Sequence, residues 1–167
     1  QGYADTGFQG ARDIVTPHLD RLAASGVRFT NGYVTHPFCS PTRAGLTTGR
    51  YQQRYAIEAP IQNPSDAGEH GLPVSGRSLP ALLKRSGYAT PLRGKWYLGY
   101  KDEFSPNAYG FDYFYGYLSQ HHAHNHFPDY LWRNESKEPL SNIIVPVGED
   151  GAGYATDAIH YADDLFV

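Results

Sequence analysis

Three times in its first ninety residues the chain places a hydroxyl residue at or just before a proline, follows it with apolar residues, and closes with glycine. The runs are Thr16-Pro17 to Gly26, Ser40-Pro41 to Gly49, and Ser78-Leu79-Pro80 to Gly87. A serine or threonine before a helix accepts from an unpaired backbone N–H, proline fits a first turn that needs no donor, and glycine tolerates the left-handed exit. This punctuation predicts three short helices, the first with an apolar stripe of Leu19, Leu22 and Ala23. Val27-Arg28-Phe29 alternates as a strand would, and Asn31-Gly32 is turn chemistry. Tyr88-Ala89-Thr90 predicts a second strand, which Pro91 opposes because it lacks a ladder donor. Ala59 to Gly76, rich in Pro, Gly, Ser and Asn, reads as a loop. Tyr100 to Tyr117 crowds aromatics and glycine without a period and receives no element. A last helix is expected from near Thr156, with Ala158, Ile159, Ala162 and Leu165 on one face. Helices alternating with short strands predict a layered α/β fold, and 167 residues predict one domain.

An apolar share of 40% with 19% charged residues excludes a disordered tail. No apolar run approaches the roughly 18 residues of a membrane span. Fourteen Lys and Arg against seventeen Asp and Glu leave a formal charge of -3, which argues against a nucleic-acid partner. The single cysteine, Cys39, excludes an internal disulfide. Methionine is absent, the chain opens on Gln1-Gly2-Tyr3, and Tyr161 to Val167 reads as a helix in progress, so a fragment cut at both ends is expected.

Cys39 stands just before the second helix, whose expected N-cap is Ser40 and first residue Pro41. Unpaired N–H groups and the positive dipole end suit an anion, and Arg43, one turn in, adds a planar fork matched to tetrahedral oxyanions. A lone cysteine is also among the most buried residue types, so a packing role stays open on these features alone.

The string Cys39-Ser40-Pro41-Thr42-Arg43-Ala44-Gly45-Leu46-Thr47-Thr48-Gly49-Arg50 resembles the first signature of the type I sulfatases: proline two after the cysteine, arginine four after, and Thr-Gly-Arg at nine to eleven. Thr47 departs from the usual leucine or methionine and is expected to face the core. Gly87-Tyr88-Ala89-Thr90 through Gly94-Lys95-Trp96-Tyr97-Leu98-Gly99 resembles the second signature, with Tyr97 in place of histidine. Thr16 to Phe29 resembles the helix and strand that precede the modified cysteine. Two ordered signatures in context make a strong motif.

The resemblance implies an alkaline-phosphatase-like layered α/β domain, incomplete, with 1–167 as part of a sulfatase catalytic domain. It implies that Cys39 becomes formylglycine through a formylglycine-generating enzyme. One hydroxyl of the aldehyde hydrate attacks the sulfur of an aryl or carbohydrate sulfate ester, and the second expels sulfate. Cys39, Arg43 and Lys95 would be catalytic, Lys95 and His124 would bind substrate, and Cys39 would be one ligand of Ca2+ or a similar divalent cation. The family's paired aspartates would precede Gln1, and its later ligands would follow Val167, so weak metal binding and little turnover are expected of this chain alone. Tyr97, a phenol titrating near 10, would be a poor base. A phosphonate or phosphate monoesterase of the same superfamily and a metal-poor binding fragment are the alternatives. The family's habit implies a periplasmic or extracellular site of action.

His121, His122, His124 and His126 crowd six residues. In an extended segment His122, His124 and His126 would share a face and could mimic a zinc site, although the spacing matches no zinc motif. Gln120, Ala123-His124, Pro128 and Leu131-Trp132-Arg133 resemble a stretch near the substrate cleft in some bacterial sulfatases. Tyr113, Tyr115, Tyr117 and Trp132 could stack on a sugar, with core packing expected for at least half of them. Glu149-Asp150 and Asp163-Asp164 read as surface charge, and Gly151-Ala152-Gly153 is too short for a phosphate cradle.

Overall fold

A computed structural model describes residues 2–61, 70–74, 76–148 and 151–167. It separates into two compact units, Gln1–Tyr33 and Val34–Val167.

In the first unit, α1 (Pro17–Ser25) forms where proline and the apolar spacing place it, and Gly26 ends it. Thr16 occupies the N-cap position, yet its hydroxyl accepts from Gly7 N–H (2.9 Å), while Asp20 Oδ1 accepts from Phe8 N–H (2.8 Å). The stripe does not find a core: Leu22 is 67% exposed and α1 buries no residue. The strand expected at Val27 to Phe29 is absent. These residues join no ladder, Phe29 is 82% exposed, and alternation alone supplies no partner for their backbone groups.

In the second unit, α2 (Cys39–Thr48) starts two residues before its expected first residue, with Phe38 rather than Ser40 at the N-cap. The reason is that the buried Ser40 hydroxyl is taken by Ile61 N–H (3.1 Å). Gly49 closes the helix at φ 66. Thr47 is buried, as its place in the motif predicts. Helix α3 (Leu79–Arg85) keeps its serine cap: Ser78 Oγ accepts from Ala81 N–H (3.3 Å) and donates to Tyr109 O (2.6 Å).

The expected strand at Tyr88 to Thr90 lies instead at β1 (Pro91–Lys95), because proline is tolerated as the first residue of a strand. β1 runs parallel to β2 (Tyr113–Tyr117), and β3 (Tyr130–Arg133) and β4 (Ser136–Pro139) continue the sheet antiparallel in the order β1-β2-β3-β4. β2 explains the aromatic segment that showed no period. Phe114 enters a core with Ala44, Leu72, Trp96, Leu98 and Tyr109, while Tyr115 and Tyr117 enter a second with Leu131 and Ala162. A strand covered on both faces needs apolar residues at every position. Tyr115 and Tyr117 are therefore packing residues and unavailable to a sugar.

The helix expected from Thr156 is also overturned. β5 (Ile143–Pro146) and β6 (Gly153–Asp157) form a separate antiparallel pair, and only α4 (Ala162–Leu165) is helical. Buried Asn142 takes the donors a helix would use. Its Oδ1 accepts from Ile159 and His160 N–H (both 2.7 Å), and its amide donates to Pro128 O (2.6 Å) and His160 O (2.9 Å).

The histidine run is not extended. A 3-10 turn spans His122–His124, which sends His122 inward at 1% exposure and leaves His124 and His126 outside. His122 packs between Tyr117 (ring centroids 4.9 Å apart) and Tyr130 (4.3 Å). Burial, then the Lys137 charge, lowers its pKa from 6.5 to about 4, against a weaker opposing pull from the Tyr130 backbone. The unfolded chain therefore takes up the proton first. Stability from neutral His122 is complete above about pH 6.5 and falls as pH drops toward 4, by up to roughly 3 kcal/mol. Urea midpoints across this range are expected to show the slope, and His122→Phe is expected to flatten it.

Candidate active site

The parallel pairing of β1 with β2 decides where the site lies. Lys95, the last residue of β1, stands in register with Tyr117, the last of β2. Both strands therefore release the chain at one sheet end, the end at which parallel α/β sheets present ligand sites. Trp96 N–H then donates to Tyr117 O (2.8 Å) and Tyr97 N–H to Leu118 O (3.1 Å), so the two segments stay together past the strands. Lys95 Nζ donates to Gln120 Oε1 at 2.5 Å. Cys39, the first residue of α2, meets the same oxygen, with Sγ at 3.6 Å. Arg43, one helical turn on, donates from Nη1 to the Lys95 backbone carbonyl at 2.5 Å.

Cys39, Arg43 and Lys95, expected to act together, thus lie together, and Cys39 is half-buried beside both cations rather than sealed in an apolar interior. His124 joins through Gln120, whose Nε2 is 2.5 Å from the imidazole Nε2. Burial lowers the pKa of Arg43, with Cys39 pulling it back. Burial also lowers that of Lys95, where attraction to Cys39 opposes the effect and repulsion from Arg43 adds to it. The Lys95 ammonium lies 5.6 Å from the centroid of the Tyr97 ring. Tyr97 is buried and held at φ 61, a conformation unusual outside glycine. Burial pushes its phenol upward, tempered by a hydrogen bond with Ser40, so at neutral pH it acts as a hydrogen-bonding group.

Among the described residues no three His, Cys, Asp or Glu side chains gather as a metal site. The zinc alternative fails because His122 turns away from His124 and His126. For calcium the expectation places only one ligand, Cys39, in this chain, where a hard cation wants six or more oxygens, and Cys39 lies near the charges of Arg43 and Lys95. Asp163 and Asp164 are exposed at the start of α4, while Glu149-Asp150 lies outside the described residues. Gly153 opens β6. Gln120 is the site residue for which sequence reasoning offered no role. It belongs to neither signature, and its only signal was the stretch it shares with His124.

The sulfatase family model matches residues 1–165. The chain belongs to the sulfatase family. Human N-acetylgalactosamine-6-sulfatase is 42% identical over 120 residues, covering 69% of this chain and 23% of the relative. Mouse arylsulfatase G is 32% identical over 163 residues, covering 89% of this chain and 30% of the relative. The solved structure of Ps i-CgsB in complex with k-i-k-neocarrahexaose superposes with a TM-score of 0.68 at 34% identity, covering 83% of this chain and 35% of that one. This sulfatase chain therefore spans less than a third of either curated relative, and its mixed α/β architecture is the alkaline-phosphatase-like fold in part. No helix among the described residues is long and apolar enough to cross a membrane.

Proposed function

We propose that residues 1–167 form the nucleophile-bearing part of a sulfatase catalytic domain that hydrolyses carbohydrate or aryl sulfate esters. The observation that carries this is the convergence of Cys39 Sγ and Lys95 Nζ on one oxygen of Gln120, with Arg43 fixed behind them. A transferring sulfuryl group carries negative charge on its oxygens. Partly desolvated cations held in place before the substrate arrives stabilise that charge without reorganising. Arg43 keeps further guanidinium donors beyond the one spent on the Lys95 carbonyl, and the Lys95 ammonium has three, so both can hold sulfate oxygens while staying anchored.

Cys39, as formylglycine, would supply a hydrated aldehyde hydroxyl as nucleophile. Its half-buried place in the first turn of α2, inside the Cys-x-Pro-x-Arg string, fits that modification, and a formylglycine-generating enzyme would be the maturation partner. A calcium-type ion would take Cys39, as formylglycine, as one ligand and further oxygen donors beyond the described residues, with Arg43 and Lys95 as the cations this segment adds beside it. His124, exposed at the rim, would meet the group that carries the sulfate. A sulfated saccharide is the favoured substrate, supported by the relative named N-acetylgalactosamine-6-sulfatase and by the saccharide held by Ps i-CgsB. Action would take place in the periplasm or outside the cell.

The deciding experiment offers the protein from its host a sulfated saccharide, an aryl sulfate and the matching phosphate ester. Sulfate release is expected, and turnover of the phosphate ester alone would overturn the assignment to sulfate. Lys95→Ala and Arg43→Ala are each expected to lower kcat by about 10²–10³-fold, the scale of losing one preorganised charge donor. Steady-state kinetics on variants with unchanged melting temperature check this.

A further inference from the structure

Gln120 touches three functional groups and belongs to neither signature. We propose that it is a positioning residue that fixes the tautomer of His124, so that His124 offers an Nδ1–H donor to the substrate. The substrate half of this statement rests on the sulfatase reading above, and the tautomer half does not.

The inference follows from donor and acceptor accounting. An ammonium has only donors, so the amide atom 2.5 Å from Lys95 Nζ must be the oxygen. The Cys39 thiol, 3.6 Å from that same atom, is satisfied by the same choice. With the oxygen fixed, the amide nitrogen faces His124. That nitrogen can only donate, so the imidazole Nε2, 2.5 Å away, must accept and carries no proton. A neutral ring with a bare Nε2 holds its proton on Nδ1. The Lys95 charge thus orients Gln120, and Gln120 in turn decides which nitrogen of an exposed histidine presents hydrogen to the outside.

The test is long-range 1H–15N correlation spectroscopy of the protein labelled with 15N-histidine, in mildly alkaline buffer, with the His124 signals assigned by their loss in His124→Asn. The wild type is expected to show the Nδ1–H pattern. Gln120→Glu keeps the shape but replaces the donor with an acceptor oxygen, and is expected to move the proton to Nε2. Gln120→Ala, which removes both partners, is expected to give a tautomer mixture. With a sulfated saccharide, Gln120→Glu is expected to raise KM about tenfold, the scale of one misplaced hydrogen bond, with a smaller change in kcat. An Nε2–H pattern in the wild type, or a His124 spectrum indifferent to both substitutions, overturns the proposal. The spectra need no turnover, so a failure of the sulfatase reading would appear only in the kinetics.

Discussion

Cys39→Ala is expected to abolish sulfate-ester hydrolysis, a loss of at least about 10⁴-fold, because it removes the attacking group and leaves only the cations that bind the ester. Cys39→Ser separates two roles of the position. A serine hydroxyl can attack sulfur, but it has no second hydroxyl on the same carbon with which to push sulfate out. It is expected to release the alcohol or phenol once per enzyme and then stop. A rapid burst of product equal to the enzyme concentration, followed by no steady rate, would record this. Mass spectrometry would find the added sulfuryl group on the peptide containing residue 39. Sustained turnover by Cys39→Ala at a tenth of the wild-type rate or more would remove Cys39 from the chemistry.

Gly116→Ala is expected to cost about 4 kcal/mol or more and to leave little folded protein. Gly116 faces Gly94 across the parallel pair of β1 and β2, and a Cβ at residue 116 would overlap the Gly94 carbonyl. Relief requires the two strands to part, which breaks the pairing that holds Lys95 at the sheet end. The reciprocal change is milder. A Cβ at Gly94 meets nothing within 4 Å, so Gly94→Ala carries only the strain of φ 100, about 1–2 kcal/mol. Urea midpoints of the two variants should differ widely. A Gly116→Ala midpoint close to that of the wild type would mean that the strands are farther apart than described.

The helices were legible because their signals are local. Pro17 and Gly26, Ser78 and Gly87, and the Gly49 terminus act within a turn of where they stand. The strands were not, because a strand is settled by its neighbour: Val27 to Phe29 alternates and stays unpaired, while Gly153 to Asp157 pairs because Ile143 to Pro146 lies beside it. Asn142 shows the same limit, since the donors it captures lie 17 and 18 residues away. In the site, Cys39 and Arg43 could be grouped from one helical turn, and Lys95 through the second signature. Gln120 owes its place to the register of β1 with β2, which no local pattern encodes.

Arg43 grips the peptide oxygen of residue 95 and not its side chain. A carbonyl cannot ionise or be swapped by mutation, so the two cations are held together mechanically through the main chain as well as feeling each other's charge. Length and charge at position 95 can therefore be varied, by arginine, methionine or a shortened amine, while the guanidinium keeps its anchor, and differences in sulfate affinity across such a series would report the ammonium together with the relief of its repulsion from Arg43.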